Sequence, residues 1–283
     1  MKRSVKFALG ALGCAAAACG IAALAVAPGK ADEAEKAKFY GRNFAHRGLH
    51  SYDRSVPENS LAAFRLAVEA GYGMELDVQL SKDGKVVVFH DDDLNRVCGV
   101  DKRVDELTFD ELRELRLCET EEVIPLFSEV LDLVAGRQPI ICELKTGRRN
   151  NKLWFNNELC EKTLELIEFY EGDVCIESFD PFIVAWFREH AKHLVRGQLA
   201  QPAHYYKSEG LNGISGFILA NTVLNVLSRP NFIAYRVGGT APGARLSKAL
   251  GAMDFCWTSH NSANEEGRDA VIFEFYKPES KFK

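Results

Sequence analysis

The stretch NFAHRGLHSYDRSVPENSLAAFRLAVEAGYGMELDVQL, residues Asn43 to Leu80, contains the first unit of the predicted fold. It begins and ends with short apolar runs that are typical of β-strands. Between them, PENS precedes a segment with helical spacing of apolar residues, and Asn59 or Ser60 can cap the start of that helix. A strand, a helix and a second strand in this order predict a parallel β/α unit.

The same alternation continues along the chain. Further strands are predicted at KVVVFHD, PIICELK, VCIESF, VRGQLA, FIAYRV, MDFCWTS and AVIFEF, with helical stretches such as LFSEVLDLVAG, NELCEKTLELIEFYEG and PFIVAWFREHA between several of them. No low-complexity break divides the chain after Asn43, and its length suits one large domain. The pattern predicts a parallel α/β protein, for which a β/α barrel is one solution.

One connection breaks the alternation. Glu75 and His90 are too close in sequence for a parallel crossover with a helix, and Asp83-Gly84 between them is a strong hairpin signal. If these two residues alone form the turn, Asp77 lies directly opposite His90. Glu75 is two residues before Asp77 on the same strand face, so this register would bring three functional side chains onto one surface.

Charged side chains are paired at the ends of two predicted strands. Glu75 and Asp77 are two residues apart, and Glu143 and Lys145 have the same spacing. Each pair alone is compatible with a surface strand that carries salt bridges. Together, three carboxylates without cysteine favour a hard divalent cation with oxygen ligands, Mg²⁺ or Ca²⁺.

Two histidines are placed to act with these groups. His46 and His90 each follow a predicted strand, and such a pair can serve as general base and acid near neutral pH. Arg47 and Lys145 can neutralise a phosphate, the arginine in bidentate fashion. The other five histidines lie in polar or helical contexts and are predicted to be exposed or satisfied side chains: His50, His190, His193, His204 and His260.

The motifs AHRG, PENSLAAF, ELDVQLSKDG, VVFHDDDLNRV, IPLFSEVLDL, CELK, ESFDP and WT occur in this order. In this the chain resembles the glycerophosphodiester phosphodiesterase family, densely from Asn43 to Pro181 and more thinly as far as Trp257. The resemblance implies a TIM-type (β/α)8 barrel with a short insertion after the His-Asp motif. It also implies hydrolysis of glycerophosphodiesters to glycerol 3-phosphate and an alcohol with a divalent cation, by direct attack of water or through the substrate's own glycerol 2-hydroxyl.

The resemblance gives the residues named above specific roles. His46 and His90 would be the acid/base pair. The metal ligands would be Glu75, Asp77 and Glu143, and Arg47 and Lys145 would bind the phosphate. Glu58 would lie beside the metal or orient His46 and Arg47, and Trp257 would line the substrate pocket.

Two other functions stay open. One is a lysophospholipase D or phospholipase that acts on membrane lipids, and the other is a non-catalytic barrel that binds glycerophosphodiesters or partners. The apolar segment from Gly216 to Phe232 bears on the first, because a membrane-touching loop there would admit lysophospholipids. We expect instead a barrel helix packed on the sheet, with Asn221, Asn225 and Ser228 on its outer side.

The N-terminus differs from the rest of the chain. Lys2, Arg3 and Lys6 precede an apolar run from Phe7 to Ala27 without a charge, which is typical of a secretory signal or a membrane anchor. The best cleavage site, Ala25-Val26-Ala27, is directly followed by Pro28, which is expected to hinder cleavage. An uncleaved anchor is therefore favoured.

This organisation predicts three segments: a signal anchor or signal peptide over 1–30, a charged linker over 31–42 and the barrel domain over 43–283. By the positive-inside rule, the barrel would lie outside the cytoplasm on a single-pass anchor, or be secreted if the segment is cleaved.

Composition excludes some classes of partner. Of the 283 residues, 47% are hydrophobic and 27% are charged, and the formal net charge of −5 gives no reason to expect nucleic-acid binding. The eight cysteines lack the spacing of a zinc site. An exported location permits a disulfide, for which Cys98 and Cys118 are the candidate pair, with buried free thiols as the alternative.

Overall fold

The computed structural model describes residues 19–149, 152–154 and 157–283. The strands are β1 (Arg42–Ala45), β2 (Gly73–Leu80), β3 (Val86–Val88), β4 (Ile140–Leu144), β5 (Gly147–Arg149), β6 (Lys152–Trp154), β7 (Val174–Ser178), β8 (Arg196–Ala200), β9 (Phe232–Arg236), β10 (Met253–Ser259) and β11 (Ala270–Phe273). Eight of them are parallel and hydrogen-bonded in the order β1-β11-β10-β9-β8-β7-β4-β2, and pairing of β1 with β2 closes the barrel. The predicted TIM-type α/β barrel is confirmed.

The helices are α1 (residues 19–26 as described), α2 (Glu33–Ala37), α3 (Leu61–Glu69), α4 (Asn95–Cys98), α5 (Phe109–Arg113), α6 (Phe127–Val134), α7 (Asn157–Glu168), α8 (Pro181–His190), α9 (Ala203–Ser208), α10 (Gly213–Ala220), α11 (Asn225–Ser228) and α12 (Pro242–Ala249). Ser60 caps α3, since its side chain accepts a hydrogen bond from the Ala63 N–H at 3.1 Å.

Alternate residues of the barrel strands fill its interior. Phe232 stacks on Phe255, with ring centroids 4.2 Å apart, and Phe44 stacks on the other side of this group at 6.5 Å from Phe255. All three side chains are fully buried. Because the same alternation continues beyond this apolar layer, the polar residues near the carboxyl ends of the strands converge at one mouth of the barrel.

The hairpin after β2 forms, but its predicted register is wrong by one residue. Ser81 pairs with Lys85, and the backbone carbonyl oxygen of Asp77 accepts a hydrogen bond from the Phe89 N–H. Asp77 therefore lies opposite Phe89 and not opposite His90. The cause is a three-residue loop that ends in Gly84, whose φ of +72° is the left-handed conformation such loops require.

The insertion after the hairpin carries its own small core. Side chains of α4, α5 and the intervening turns pack against the outer side of β3, where the buried members include Leu94, Val97, Leu112 and Ile124. Cys98 and Cys118 lie at the edge of this core as free thiols, so the structure has the free-thiol alternative and not the disulfide.

The apolar segment before β9 forms helices α10 and α11, but the prediction of its outer face is wrong. Asn225 and Ser228 are fully buried, whereas Phe217 is 61% exposed. Asn225 is buried because its Nδ2 donates to the carbonyl oxygen of Val26 at 3.2 Å and to Ser247 at 3.3 Å. The polar side chains therefore join the barrel to the N-terminal segment, and apolar ones face outward.

The predicted N-terminal anchor lies largely outside the described residues, which begin at residue 19. Its described end, α1, is held against the barrel, since Arg229 Nη1 donates to the carbonyl oxygens of Leu24 at 2.9 Å and Ala27 at 3.0 Å. Ile21 and Leu24 project outward. Within the described residues, no helix is both long and apolar enough to cross a membrane.

Close packing in the barrel interior yields a first prediction. Gly197 on β8 lies against the ring of Phe232, and an added Cβ would overlap that ring. Gly197→Ala is therefore expected to lower the free energy of unfolding by about 1–3 kcal/mol, as overpacked cores do. Urea denaturation measures the change. Gly213→Ala is the control, because no atom lies within 4 Å of a Cβ there; equal stabilities for the two variants would contradict the packing argument.

Candidate active site

The turn after β1 places Arg47 in an uncommon backbone conformation. Arg47 has a φ of +53° and Gly48 a φ of +79°, both in the left-handed region. A non-glycine residue there costs about 1–3 kcal/mol, so surrounding contacts must hold it. One such contact is the Arg47 N–H, which donates to Glu75 Oε2 at 2.9 Å. The turn thereby fixes the orientation of a predicted metal ligand.

Three carboxylates meet near the carboxyl ends of β2 and β4. The parallel register aligns Asp77 with Glu143, and Glu75 lies on the same strand face as Asp77. All three are buried, and one oxygen of each lies within 4.8 Å of the others. Lys145 Nζ donates to Glu143 at 2.8 Å and to Asp77 at 3.2 Å. The structure thus brings these four predicted residues together, and we call Glu75, Asp77 and Glu143 the carboxylate trio.

Burial and repulsion act on the trio unequally. Burial, and then the charges of Asp77 and Glu143, raise the pKa of Glu75 well above its ordinary value. Burial raises the pKa of Glu143 to about 7, although Lys145 opposes the shift. Burial acts in the same direction on Asp77, but Lys145 and the other nearby cations outweigh it and lower its pKa below the usual range. Glu75 and Glu143 therefore hold protons readily while no further cation is near.

The donor set of the trio fits a divalent cation. Carboxylate oxygens are the hard ligands that Mg²⁺ and Ca²⁺ prefer. The raised pKa values of Glu75 and Glu143 indicate that the described cations do not fully compensate the negative charge of these two carboxylates when they are ionised. A divalent cation would compensate it, and these ligands suit either of the two predicted ions.

Both predicted acid/base histidines are held through Nδ1 by a carboxylate. His46 Nδ1 lies 3.2 Å from Glu274 Oε1, and His90 Nδ1 lies 2.6 Å from Asp91 Oδ1. Because an ionised carboxylate only accepts hydrogen bonds, each contact places the proton on Nδ1 and leaves Nε2 as an acceptor. His46 Nε2 lies 4.0 Å from Glu75 Oε2, so it faces the carboxylate trio.

Both histidines are neutral at pH 7. Burial, followed by the charge of Arg47, lowers the pKa of His46. Burial, followed by the charge of Lys145, lowers the pKa of His90 to about 4. Each imidazole can therefore accept a proton at Nε2.

Glu58 orients Arg47 and lies outside the carboxylate trio. Its Oε1 accepts from Arg47 Nη1 at 2.6 Å, and both of its oxygens accept from Arg96 at 2.7 Å. Arg96 Nε also donates to Asp91 Oδ2 at 2.6 Å. Helix α4 of the insertion thus connects Glu58 to the carboxylate that holds His90. These contacts hold Arg47, and the role of Glu58, beside the metal or orienting His46 and Arg47, stays a prediction.

Sequence reasoning missed two residues that hold the site from neighbouring loops. Asn59, considered as a helix cap, has a φ of +54° and donates from Nδ2 to Asp77 Oδ2 at 2.9 Å. Glu274 Oε1 accepts from His50 Nε2 at 2.9 Å as well as from His46. His50 is therefore a satisfied side chain, as predicted, but it lies within the site. No local pattern signals either contact.

A fourth buried carboxylate, Glu177, was also missed, although a signal existed. The register pairs Glu177 on β7 with Glu143 on β4, so both point into the barrel. Burial and the charge of Glu143 raise the pKa of Glu177 well above its ordinary value. Aligning the strand ends CELK and ESFD would have placed it beside the trio.

The predicted pocket residue Trp257 lies at the carboxyl end of β10, on the part of the mouth formed by later strands. Its Nε1–H donates to the Ala234 carbonyl oxygen at 3.0 Å. Phe179 meets the indole edge-on with ring centroids 5.4 Å apart. These contacts fix one face of the mouth as an aromatic wall.

Comparison with known proteins agrees with this arrangement. A sequence model of the glycerophosphoryl diester phosphodiesterase family matches residues 46–274, which is most of the chain. The chain belongs to this family. It is therefore an enzyme of the phosphoric diester hydrolase class.

Individual relatives are of two kinds. A glycerophosphodiester phosphodiesterase from Bacillus altitudinis is 35% identical over 179 residues, which are 58% of this chain and 71% of that protein. A lysophospholipase D from Homo sapiens is 32% identical over 152 residues, 49% of this chain and 45% of that protein. The solved structure of an Oleispira antarctica phosphodiesterase, in complex with the product sn-glycerol-3-phosphate, shares the fold with a TM-score of 0.65 and 22% identity, covering 84% of this chain and 94% of that one.

The carboxylate trio yields a prediction about cation binding. Saturating Mg²⁺ or Ca²⁺ is expected to stabilise the fold, by about 2.7 kcal/mol when the free ion is at 100 times its Kd. Glu143→Gln should remove most of this gain, because it deletes one ligand charge. Thermal unfolding with and without EDTA measures the effect. Glu266→Gln, at an exposed position, is the matched control, and unchanged stabilisation in Glu143→Gln would contradict the assignment.

Cation binding should also depend on pH. Glu75 and Glu143 carry raised pKa values, and a cation binds only their ionised forms. Binding must therefore release protons, and affinity should rise as the pH increases through about 7, the pKa of Glu143. Calorimetry at pH 6 in buffers of different ionisation heat measures the release. Equal affinity at acidic and alkaline pH would show that the trio does not hold the ion.

Proposed function

We propose that this protein hydrolyses glycerophosphodiesters to glycerol 3-phosphate and an alcohol, in a reaction that depends on a divalent cation. The observation that carries the proposal is the adjacency of the carboxylate trio, Arg47 and two histidines with free Nε2 atoms. Cleavage of a phosphodiester needs positive charge at its oxygens together with an acid and a base. The relative from Bacillus altitudinis carries this activity in its name, and the Oleispira antarctica structure contains the corresponding product.

Arg47 and Lys145 are proposed to hold the phosphate. Glu58 fixes Arg47 Nη1 in place, so little side-chain freedom is lost when the guanidinium meets phosphate oxygens. The Lys145 ammonium is held in place by two carboxylates of the trio, Asp77 and Glu143. When bound by the trio, a divalent cation supplies Lewis-acid stabilisation of the charge that develops on the phosphoryl oxygens.

His46 and His90 are proposed to transfer the protons. One accepts the proton of the nucleophile at Nε2 while the other protonates the leaving alkoxide. The nucleophile is water or the glycerol 2-hydroxyl of the substrate, and the second route forms a cyclic phosphate that water then opens. Both histidines are neutral before substrate binds. The anionic phosphodiester raises the pKa of a nearby imidazole, because an opposite charge favours its protonated form, and this prepares one of them to act as the acid.

Replacement of either histidine tests the proposal. His46→Ala and His90→Ala are each expected to lower kcat by about 10²- to 10⁴-fold, the usual contribution of general acid–base catalysis. Release of glycerol 3-phosphate from glycerophosphocholine by the full chain in detergent, with EDTA, Mg²⁺ or Ca²⁺, measures the loss. Circular dichroism and cation-induced stabilisation should match the wild type.

His193→Ala provides the matched control, because His193 is exposed and its described ion pair is with Glu168, which is also exposed and is not a residue of the site. It should retain full turnover. Near-native activity in His90→Ala would contradict the assigned role. A folded wild-type chain that hydrolyses no diester with any cation would contradict the function and favour the non-catalytic barrel.

A lysophospholipase D activity is the second candidate. It is favoured by the outward-facing apolar residues of α10, where Ile214 is 75% exposed and Phe217 is 61% exposed. Such side chains can contact a lipid surface, and the Homo sapiens relative is named for this activity. The same assay with lysophosphatidylcholine, following release of choline, distinguishes the two substrates.

We also propose that the N-terminal segment holds the barrel at a membrane, on the extracytoplasmic side. The apolar run from Phe7 to Ala27 follows three cations. Its described end exposes Ile21 and Leu24, and Arg229 joins that end to the barrel, so the barrel would lie close to the bilayer.

Fractionation tests this location. The full chain is expected in the membrane pellet after an alkaline carbonate wash, because an apolar span is not released by charge screening. Deletion of residues 2–18, which keeps the Arg229 contacts, should move it to the soluble fraction. N-terminal sequencing of the pelleted chain distinguishes an anchor from a cleaved signal, and a soluble full chain would contradict the proposal.

A further inference from the structure

A cation outside the phosphate-binding pair lies on the aromatic wall of the mouth. Arg236 ends β9, and the register pairs it with Trp257 on β10. Its Cζ lies 4.0 Å from the centroid of the Tyr205 ring and 5.4 Å from that of the Trp257 ring. The guanidinium therefore lies over both aromatic rings, which attract its charge without using its N–H donors in hydrogen bonds.

Arg236 has no described counter-charge: among the residues that the structure describes, no carboxylate pairs with it and no group accepts a hydrogen bond from it. Glu209 is the acidic residue on the β8–β9 connection that carries Tyr205, and its Oε1 accepts a hydrogen bond from Gln201 Nε2 at 2.8 Å. Arg47 differs, because Glu58 lies 2.6 Å from one of its nitrogens. An orientated, half-buried guanidinium with free donors is a bidentate receptor for an anion.

The position of Arg236 relates it to the substrate. Phe179, which meets Trp257 edge-on, lies two residues after Glu177, and Glu177 pairs in register with Glu143 of the trio. Alternation along parallel strands therefore turns the aromatic wall and the trio toward the same mouth. The wall is formed by later strands and the catalytic groups by earlier ones. A diester whose phosphate lay at the trio would have the aromatic wall on the side of one of its two arms.

We propose that Arg236 binds an anionic group on the leaving alcohol of the substrate, either a carboxylate or a second phosphate. The preferred substrates are then glycerophosphodiesters with acidic head groups. A quaternary ammonium head group is disfavoured, because it would need the aromatic faces that a like charge already covers. This inference rests on the proposed diester hydrolysis and specifies its substrate class.

The test compares head groups on the full chain in detergent with saturating cation. Values of kcat/KM are measured for glycerophosphoserine, glycerophosphoinositol 4-phosphate and glycerophosphocholine by release of glycerol 3-phosphate. The first two probe a carboxylate and a phosphate separately. The wild type is expected to prefer at least one acidic substrate over glycerophosphocholine by tenfold or more. Arg236→Gln should lower kcat/KM for that substrate by about 10- to 100-fold and bring the ratio to glycerophosphocholine near one.

Matched variants separate recognition from folding. Arg245→Gln removes the same charge at an exposed position of α12 and should keep the wild-type ratio. Arg236→Lys keeps the charge without the planar fork and should give an intermediate ratio, which also covers a failure of Arg236→Gln to fold. Equal losses for all three substrates, or a wild type that prefers glycerophosphocholine, would overturn the inference.

Binding without turnover separates this inference from the proposed function. In the His90→Ala background, calorimetric binding of glycerophosphoserine or glycerophosphoinositol 4-phosphate should weaken about 10- to 100-fold when Arg236→Gln is added. A folded wild-type chain that hydrolyses none of the three diesters contradicts the proposed function alone. Unchanged binding of both acidic diesters on addition of Arg236→Gln contradicts the anion subsite alone.

Discussion

The gathering of three carboxylates in the barrel interior is the constraint on which the rest of the site depends. Removing each from water costs several kcal/mol even after relaxation, and like charges repel strongly in a low-dielectric site. The fold answers with donors from three directions: Lys145 between two of the carboxylates, the Arg47 N–H on Glu75 and the Asn59 amide on Asp77. These donors compensate the negative charge of the trio only in part, as the raised pKa of Glu75 indicates. The same imbalance opposes folding and would favour the divalent cation that we propose at the trio.

Each of three side chains with a proposed role in the reaction is held by a further carboxylate: Glu274 holds His46, Asp91 holds His90, and Glu58 holds Arg47. This arrangement fixes the tautomer of both imidazoles, so that both Nε2 atoms are acceptors. It also keeps Arg47 in place before substrate arrives, which reduces the ordering that binding must supply. Arg96 joins two of these carboxylates, so the insertion positions catalytic groups in addition to covering β3.

The sequence predicted what depends on local periodicity. Strand and helix alternation predicted a parallel α/β fold, and the family resemblance implied the barrel. Two-residue spacing on β2 and β4 predicted charged side chains on one strand face, because strand residues i and i+2 share a face. The predicted hairpin register was wrong because Asp-Gly occurs in both two-residue and three-residue loops. One extra loop residue shifts every residue pair between the two strands. The outer face of α11 was wrong because Asn225 meets a carbonyl of the distant N-terminal segment. Asn59 and Glu274 were missed for the same reason: their partners are brought close only by barrel closure.

The two arginines at the mouth show how environment, and not residue type, divides recognition from chemistry. The early strands carry the groups proposed to act on the phosphate, and there Arg47 pairs with Glu58. On the later β/α units, Arg236 lies over the rings of Tyr205 and Trp257, and no carboxylate of the described residues pairs with it. Both arginines are proposed to bind anions, but Arg47 also compensates the charge of Glu58, whereas Arg236 has no carboxylate partner among the described residues. Because the two groups belong to different β/α units, the wall can change its preference without disturbing the hydrogen bonds that hold the trio, and this separation is what allows one barrel chemistry to serve different head groups.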